Sequence, residues 1–147
     1  MKILFYTDVH WSQYSSIVRG RDGRYSTRID NLIKSVNWAE HLADTLGCAR
    51  IVCGGDFFDS ATINSEEASA LKEVCWSKLL HTFIVGNHEV QLGNLDHSTL
   101  DIFNLCPNCE VLNSPTSEVV GDTQLCFVPY FTENDRLPLN DLLGDKK

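Results

Sequence analysis

The stretch Arg50-Ile51-Val52-Cys53-Gly54-Gly55-Asp56 decides the fold of this chain. Its apolar run is too short for a core helix and suits a buried strand. The two glycines let the backbone turn sharply and pass close to a neighbour before a carboxylate appears. Upstream, Lys2-Ile3-Leu4-Phe5-Tyr6-Thr7 reads as another buried strand and runs into Asp8-Val9-His10. Downstream, Thr82-Phe83-Ile84-Val85 reads as a third, closed by Gly86-Asn87-His88-Glu89.

The segments between these strands have helical spacing. Apolar residues recur at Ile29, Leu32, Ile33, Val36, Ala39, Leu42, Ala43 and Leu46, and Gly47 supplies the stop. Asn64 and Glu67 form a capping-box pair ahead of Ala68, Leu71, Cys75 and Leu79, which predicts a second helix. A third helix is expected over 95–105. Short strands are expected at 111–112 and 125–128, separated by a turn-rich segment, and a helix-like segment over 140–147. The β-α-β-α-β order implies an α/β fold with a mainly parallel sheet and crossover helices. With no repeat or linker, residues 1–147 are expected to form one domain.

Composition narrows the function. The chain has 147 residues, is 43% hydrophobic and 22% charged, and carries a net charge of −8. That charge argues against a sequence-independent nucleic-acid coat protein, which would be basic. It leaves room for an enzyme that meets phosphates through bound cations. No stretch approaches the ~18 consecutive apolar residues of a membrane span. Asp8 arrives too early for a signal-peptide core, so a cytoplasmic protein is expected. The six cysteines fall short of a disulfide scaffold and are read as reduced thiols. Cys106-Pro107-Asn108-Cys109 has the spacing of half a zinc site, but nothing completes it; a turn is expected, with redox or metal roles as the alternatives.

In open α/β sheets, ligands bind outside the carboxyl ends of the strands. Three successive strand ends here deliver Asp8 and His10, then Asp56, then Asn87, His88 and Glu89. Two positions apart in extended chain, Asp8 and His10 share a face and can grip one ion. Asp56 has two oxygens and can bridge a pair. Carboxylate, imidazole and amide together suit manganese, iron or zinc more than copper. Two such ions would clamp a phosphoryl group and generate a nucleophile from water. Arg19, Arg21, Arg24 and Arg28 crowd the next loop and are candidate contacts to a substrate's phosphates, against a solvated loop pairing with Asp22 or Asp30. Trp11 is read as packing under that loop rather than stacking on a base. Trp38 and Trp76 are read as core or edge-of-core residues on helices, His41 and His81 as structural, and His97 as a cap or surface group, with a place lining the cleft as its alternative.

The set Asp8-x-His10, Gly55-Asp56-x-x-Asp59 and Gly86-Asn87-His88-Glu89 resembles the calcineurin-like metallophosphoesterases. The resemblance implies that family's sandwich of β-sheets flanked by helices and two divalent ions, with Mn2+ favoured over Fe2+, Zn2+ or Mg2+. It implies that Asp8 and His10 hold one ion, Asp56 bridges both and Asn87 holds the other. His88 would contact the phosphate and protonate the leaving oxygen. Glu89 would orient His88, and Asp59 would hold a ligand in place.

Gly54-Gly55-Asp56-Phe57-Phe58-Asp59-Ser60 and Phe127-Val128-Pro129-Tyr130 are similar to the nuclease subunits of SbcCD-type DNA repair complexes, including bacteriophage recombination endonuclease subunits. That branch implies DNA as substrate, a coiled-coil ATPase as partner of the full-length protein, and a homodimer as one arrangement. The family completes its site with later histidines in Gly-His and Gly-His-x-His segments. After His88 this sequence has only His97, in Asp96-His97-Ser98. The resemblance therefore implies the amino-terminal half of a larger domain, with loose metal binding by the chain alone. A phosphatase of the same superfamily, or a non-catalytic binding module, are the alternatives.

Overall fold

Four short strands lie side by side in sequence order, all parallel: β1 (Ile3–Tyr6), β2 (Arg50–Cys53), β3 (Leu80–Ile84) and β4 (Cys109–Leu112). The structure is a computed structural model and describes residues 1–18, 20–131 and 141. Right-handed crossovers between consecutive parallel neighbours place every connecting segment on one face of the sheet. Alternation along β2 shows the result: Ile51 and Cys53 join apolar clusters with the helices, while Val52 packs the other way with Ile84 and Phe127.

Helix α1 (Thr27–Leu46) begins at Ser26, whose hydroxyl accepts from the Ile29 amide, and stops at Gly47, where φ is 63°. Its face buries Ile29, Val36 and Ala43. Glu40 is also buried, and both its oxygens lie 3.0 Å from His81 Nε2 on β3. His81 Nδ1 lies 2.9 Å from the Leu79 carbonyl, and the Ser77 amide donates to Glu40 at 3.0 Å. Burial works to raise the Glu40 pKa. The hydrogen bonds from His81 and Ser77 outweigh it and leave the carboxyl below its ordinary value. His81 is thus a core histidine with a named partner.

Helix α2 (Ser65–Ala70) is shorter than the spacing predicts. Its capping box between Asn64 and Glu67 is present, but the chain tightens into a 3-10 turn over Leu71–Glu73 and then leaves the helix. The cause lies on α1: Asn37 Oδ1 accepts the Cys75 amide at 2.7 Å and Glu40 accepts that of Ser77. Trp76 therefore sits off any helix, packed against the core, and Trp38 is 66% exposed rather than at a core edge. The expected helix over 95–105 is a 3-10 helix over Thr99–Leu105, capped by Ser98 and Asp101.

The turn-rich segment hides a strand. β5 (Thr116–Val120) and β6 (Thr123–Phe127) form an antiparallel hairpin on the back of the sheet. Arg50 fastens it there, pairing with both oxygens of Glu118 and lying 5.6 Å from the Phe127 ring centre. Among the described residues no helix is long and apolar enough to cross a membrane. Apart from Asp141, the helix-like segment expected over 140–147 lies outside the described residues.

Candidate metal centre

The loops leaving β1 and β2 run alongside each other past the end of the sheet. Asp8 N–H donates to Gly55 O at 3.1 Å, His10 N–H to Asp56 O at 3.0 Å and Trp11 N–H to Phe57 O at 2.6 Å. This pairing holds Asp8, His10 and Asp56 at φ values of 56°, 49° and 52°. Side chains rarely adopt that left-handed region, and it persists only where the surroundings over-determine it. Here the surroundings are a packed floor: Trp11, Phe57 and Phe58 are at most 1% exposed, and the Trp11 indole donates to Glu67 O at 3.0 Å. Trp11 thus packs under the loop.

The loop after β3 closes on the same point. A Cβ at Gly86 would stand 2.2 Å from Asp56 Oδ1 and 2.5 Å from Asp56 N, so glycine is required by proximity alone. Glu89, fully buried, accepts from the amides of Gly86 (2.8 Å), Phe58 (2.9 Å) and Asp56 (3.1 Å). One carboxylate thereby ties two ligand loops together. Burial raises its pKa, against the lowering effect of those three hydrogen bonds.

Glu89's hydrogen bonds go to backbone, so the expectation that it orients the His88 ring is corrected. That ring is held by the Asp59 carbonyl, 2.9 Å from Nδ1. The same carbonyl is the main reason the His88 pKa is raised, with burial opposing and the nearby Asp56, Asp59 and Glu89 charges adding.

One donor atom from each of Asp8, His10 and Asp56 lies within 4.8 Å of the others. His10 Nδ1 lies 2.9 Å from Asp59 Oδ1, which leaves Nε2 facing Asp8 Oδ1 at 3.6 Å. A carboxylate on Nδ1 fixes the tautomer and ring plane and frees Nε2 to ligate. His10, Asp59 and His88 form a second grouping of the same size, already occupied by its own hydrogen bonds. The His10 and His88 rings meet edge-on, 4.7 Å apart. Exposed Asn87 lines a cavity of about 240 Å³ together with Asp8, Asp56, Pro129 and Tyr130. Among the described residues, no lysine or arginine pairs with Asp8 or Asp56. Converging carboxylates beside an imidazole, without a protein counter-charge, fit a divalent cation.

The arginine loop has other work. Arg21 pairs with Glu66 and donates to the Arg24 carbonyl; Arg24 pairs with Glu73 at 3.2 Å. The partners are thus Glu66 and Glu73, rather than Asp22 or Asp30. Arg28 donates to the His10 carbonyl at 2.9 Å, gripping the strained residue from the first turn of α1. Arg19 lies outside the described residues. His97 is exposed and belongs to neither donor grouping.

Two contributors escape sequence reasoning: Arg28 as a backbone clamp, and Glu67, which accepts the Gln13 amide at 3.0 Å and so joins α2 to the first ligand loop. The capping spacing marks Glu67, but nothing local marks its reach to Gln13.

The family model described as calcineurin-like phosphoesterase matches residues 1–145. No curated protein matches the chain.

Proposed function

We propose, for a chain that belongs to the calcineurin-like phosphoesterase family, a role as a manganese-dependent phosphodiesterase acting on DNA ends. Membership makes it a metal-dependent phosphoesterase in general. The observation that carries the reading is the convergence of Asp8, His10 and Asp56 within 4.8 Å at adjacent strand ends. The DNA branch is supported by the Gly54-to-Ser60 and Phe127-to-Tyr130 likenesses, and Pro129 and Tyr130 line the cavity beside Asp8 and Asp56.

Asp8, His10, Asp56 and Asn87 would hold the ions, with Asp59 fixing the His10 ring through Nδ1. A bound divalent ion supplies Lewis-acid polarisation of a phosphoryl oxygen and a lowered pKa for water. With Nδ1 engaged by the Asp59 carbonyl, His88 presents Nε2 as proton donor to the departing sugar oxygen. In the metal-free chain the Asp59 carbonyl and the neighbouring carboxylates raise the His88 pKa, the direction a proton donor needs. A coiled-coil ATPase, or a second copy of the chain, would complete the assembly.

One observation favours a phosphomonoesterase instead. Arg21, Arg24 and Arg28 are all engaged within the chain, which leaves none of them reserved for a nucleic-acid backbone. The test is manganese-dependent hydrolysis of linear duplex DNA beside a simple aryl phosphomonoester. Degradation from DNA ends supports the nuclease. Turnover of the monoester alone would transfer the assignment to a phosphatase.

A further inference from the structure

We propose that Cys106 and Cys109 form a redox-active dithiol, which closes a disulfide by exchange with low-molecular-weight disulfides of the glutathione class. The pair stands apart from the metal centre. β4 begins at Cys109, whereas the ligands follow the far ends of its parallel neighbours, roughly 15 Å of strand away.

Geometry brings the thiols together. Cys109 N–H donates to Cys106 O at 3.1 Å, closing a turn around Pro107 and Asn108. Such a turn holds its end Cα atoms under about 7 Å, near the span a disulfide bridges. Pro107 presets the turn by fixing its own φ. The two side chains are near enough for Cys106 to act on the ionisation of Cys109, and both thiols are free.

The two sulfurs differ as a dithiol requires. Cys106 is exposed, at the end of the 3-10 helix Thr99–Leu105. Cys109 is half-buried and packs against the main core. Burial pushes the Cys109 thiol up to about 12, and the charge and hydrogen bond of Cys106 push the same way. Cys106 is therefore the attacking group.

Its thiolate attacks one sulfur of glutathione disulfide, breaks that S–S bond and releases one glutathione thiol. Cys109 then loses its proton to solvent and attacks the Cys106 sulfur, releasing the second glutathione as its thiol. Two protein thiols are oxidised and one small disulfide is reduced to two thiols. Once Cys106 sits in the mixed disulfide, its charge no longer opposes proton loss from Cys109.

The test uses the 147-residue chain in glutathione buffers of graded redox ratio, quenched by alkylation and read by intact mass and peptide mapping. The wild type should lose two hydrogens from this pair, with the bond mapped to Cys106 and Cys109 and glutathione confined to Cys75. Cys109→Ser should instead hold one glutathione on Cys106, as the lone exposed Cys75 does in every variant. Cys106→Ser should leave Cys109 unmodified over the same time. A trivalent arsenical, which needs two adjacent thiols, should bind the wild type and neither variant. Stable glutathione on Cys106 of the wild type, or equal arsenical binding by all three, would overturn the proposal.

Discussion

The two ends of the parallel sheet are built on opposite rules. At the amino end charges meet partners: buried Glu40 faces His81 across 3.0 Å, and partly buried Arg50 grips Glu118. At the carboxyl end, Asp8 and Asp56 converge on left-handed backbone, and among the described residues no lysine or arginine pairs with either. One end pairs opposite charges; the other gathers like charges on strained backbone around a candidate cation site. Removing a carboxylate charge should therefore act in opposite senses at the two ends.

The largest effect belongs to the amino end. Glu40→Ala leaves His81 and the Ser77 amide buried without their acceptor and should cost about 3–5 kcal/mol, the usual scale for breaking a buried pair. Urea unfolding of the metal-free chain measures it. The pH dependence has a defined sign. Because the fold holds the Glu40 carboxyl below its ordinary value, its stabilisation is complete above the unfolded-state pKa of ~4.3. It is lost as pH falls through the lower folded value. The urea midpoint of the wild type should fall more steeply below about pH 4 than that of Glu40→Gln.

Gly86→Ala comes next. Its new methyl would stand 2.2 Å from Asp56 Oδ1, so loop and ligand must both shift. A loss of about 1–3 kcal/mol is expected from overpacking, together with weaker manganese binding. A variant that kept full stability and affinity would show that these loops are not closely coupled.

Arg28 sharpens the comparison, because it supports the site rather than the core. Arg28→Ala should weaken manganese binding about 10–100-fold, as loss of an outer partner typically does, and Arg28→Lys should recover part of it. Calorimetric titration separates this from a DNA contact, which would leave metal affinity unchanged. The smallest effect has the opposite sign. Asp8→Asn removes one of two converging like charges and should stabilise the metal-free chain by a few tenths of a kcal/mol, while weakening the site.

Much of this was legible in the sequence, for reasons that differ by element. The β1, β2 and β3 runs are short, apolar and punctuated by glycine or acid, so strand ends and ligand loops stand out together. α1 announces itself by spacing and by Gly47. What remained hidden depends on distant partners. α2 stops early because Asn37 and Glu40 capture amides beyond it. β5 is polar and mostly exposed, so its residues resemble a turn until β6 pairs with them. Glu89 could be placed beside the site, but three amides brought by tertiary folding decide what it holds.

The most direct test of a single shared centre is a manganese titration, followed by electron paramagnetic resonance, of the wild type, Asp56→Ala and His88→Ala. The wild type should take up manganese saturably, with an affinity limited by four protein ligands. Asp56→Ala should bind none in the same range, while His88→Ala should bind like the wild type and, in an active form of the protein, lose ~10²–10⁴-fold in rate. Wild-type binding by Asp56→Ala, or equal loss in both variants, would contradict a centre built on Asp8, His10 and Asp56.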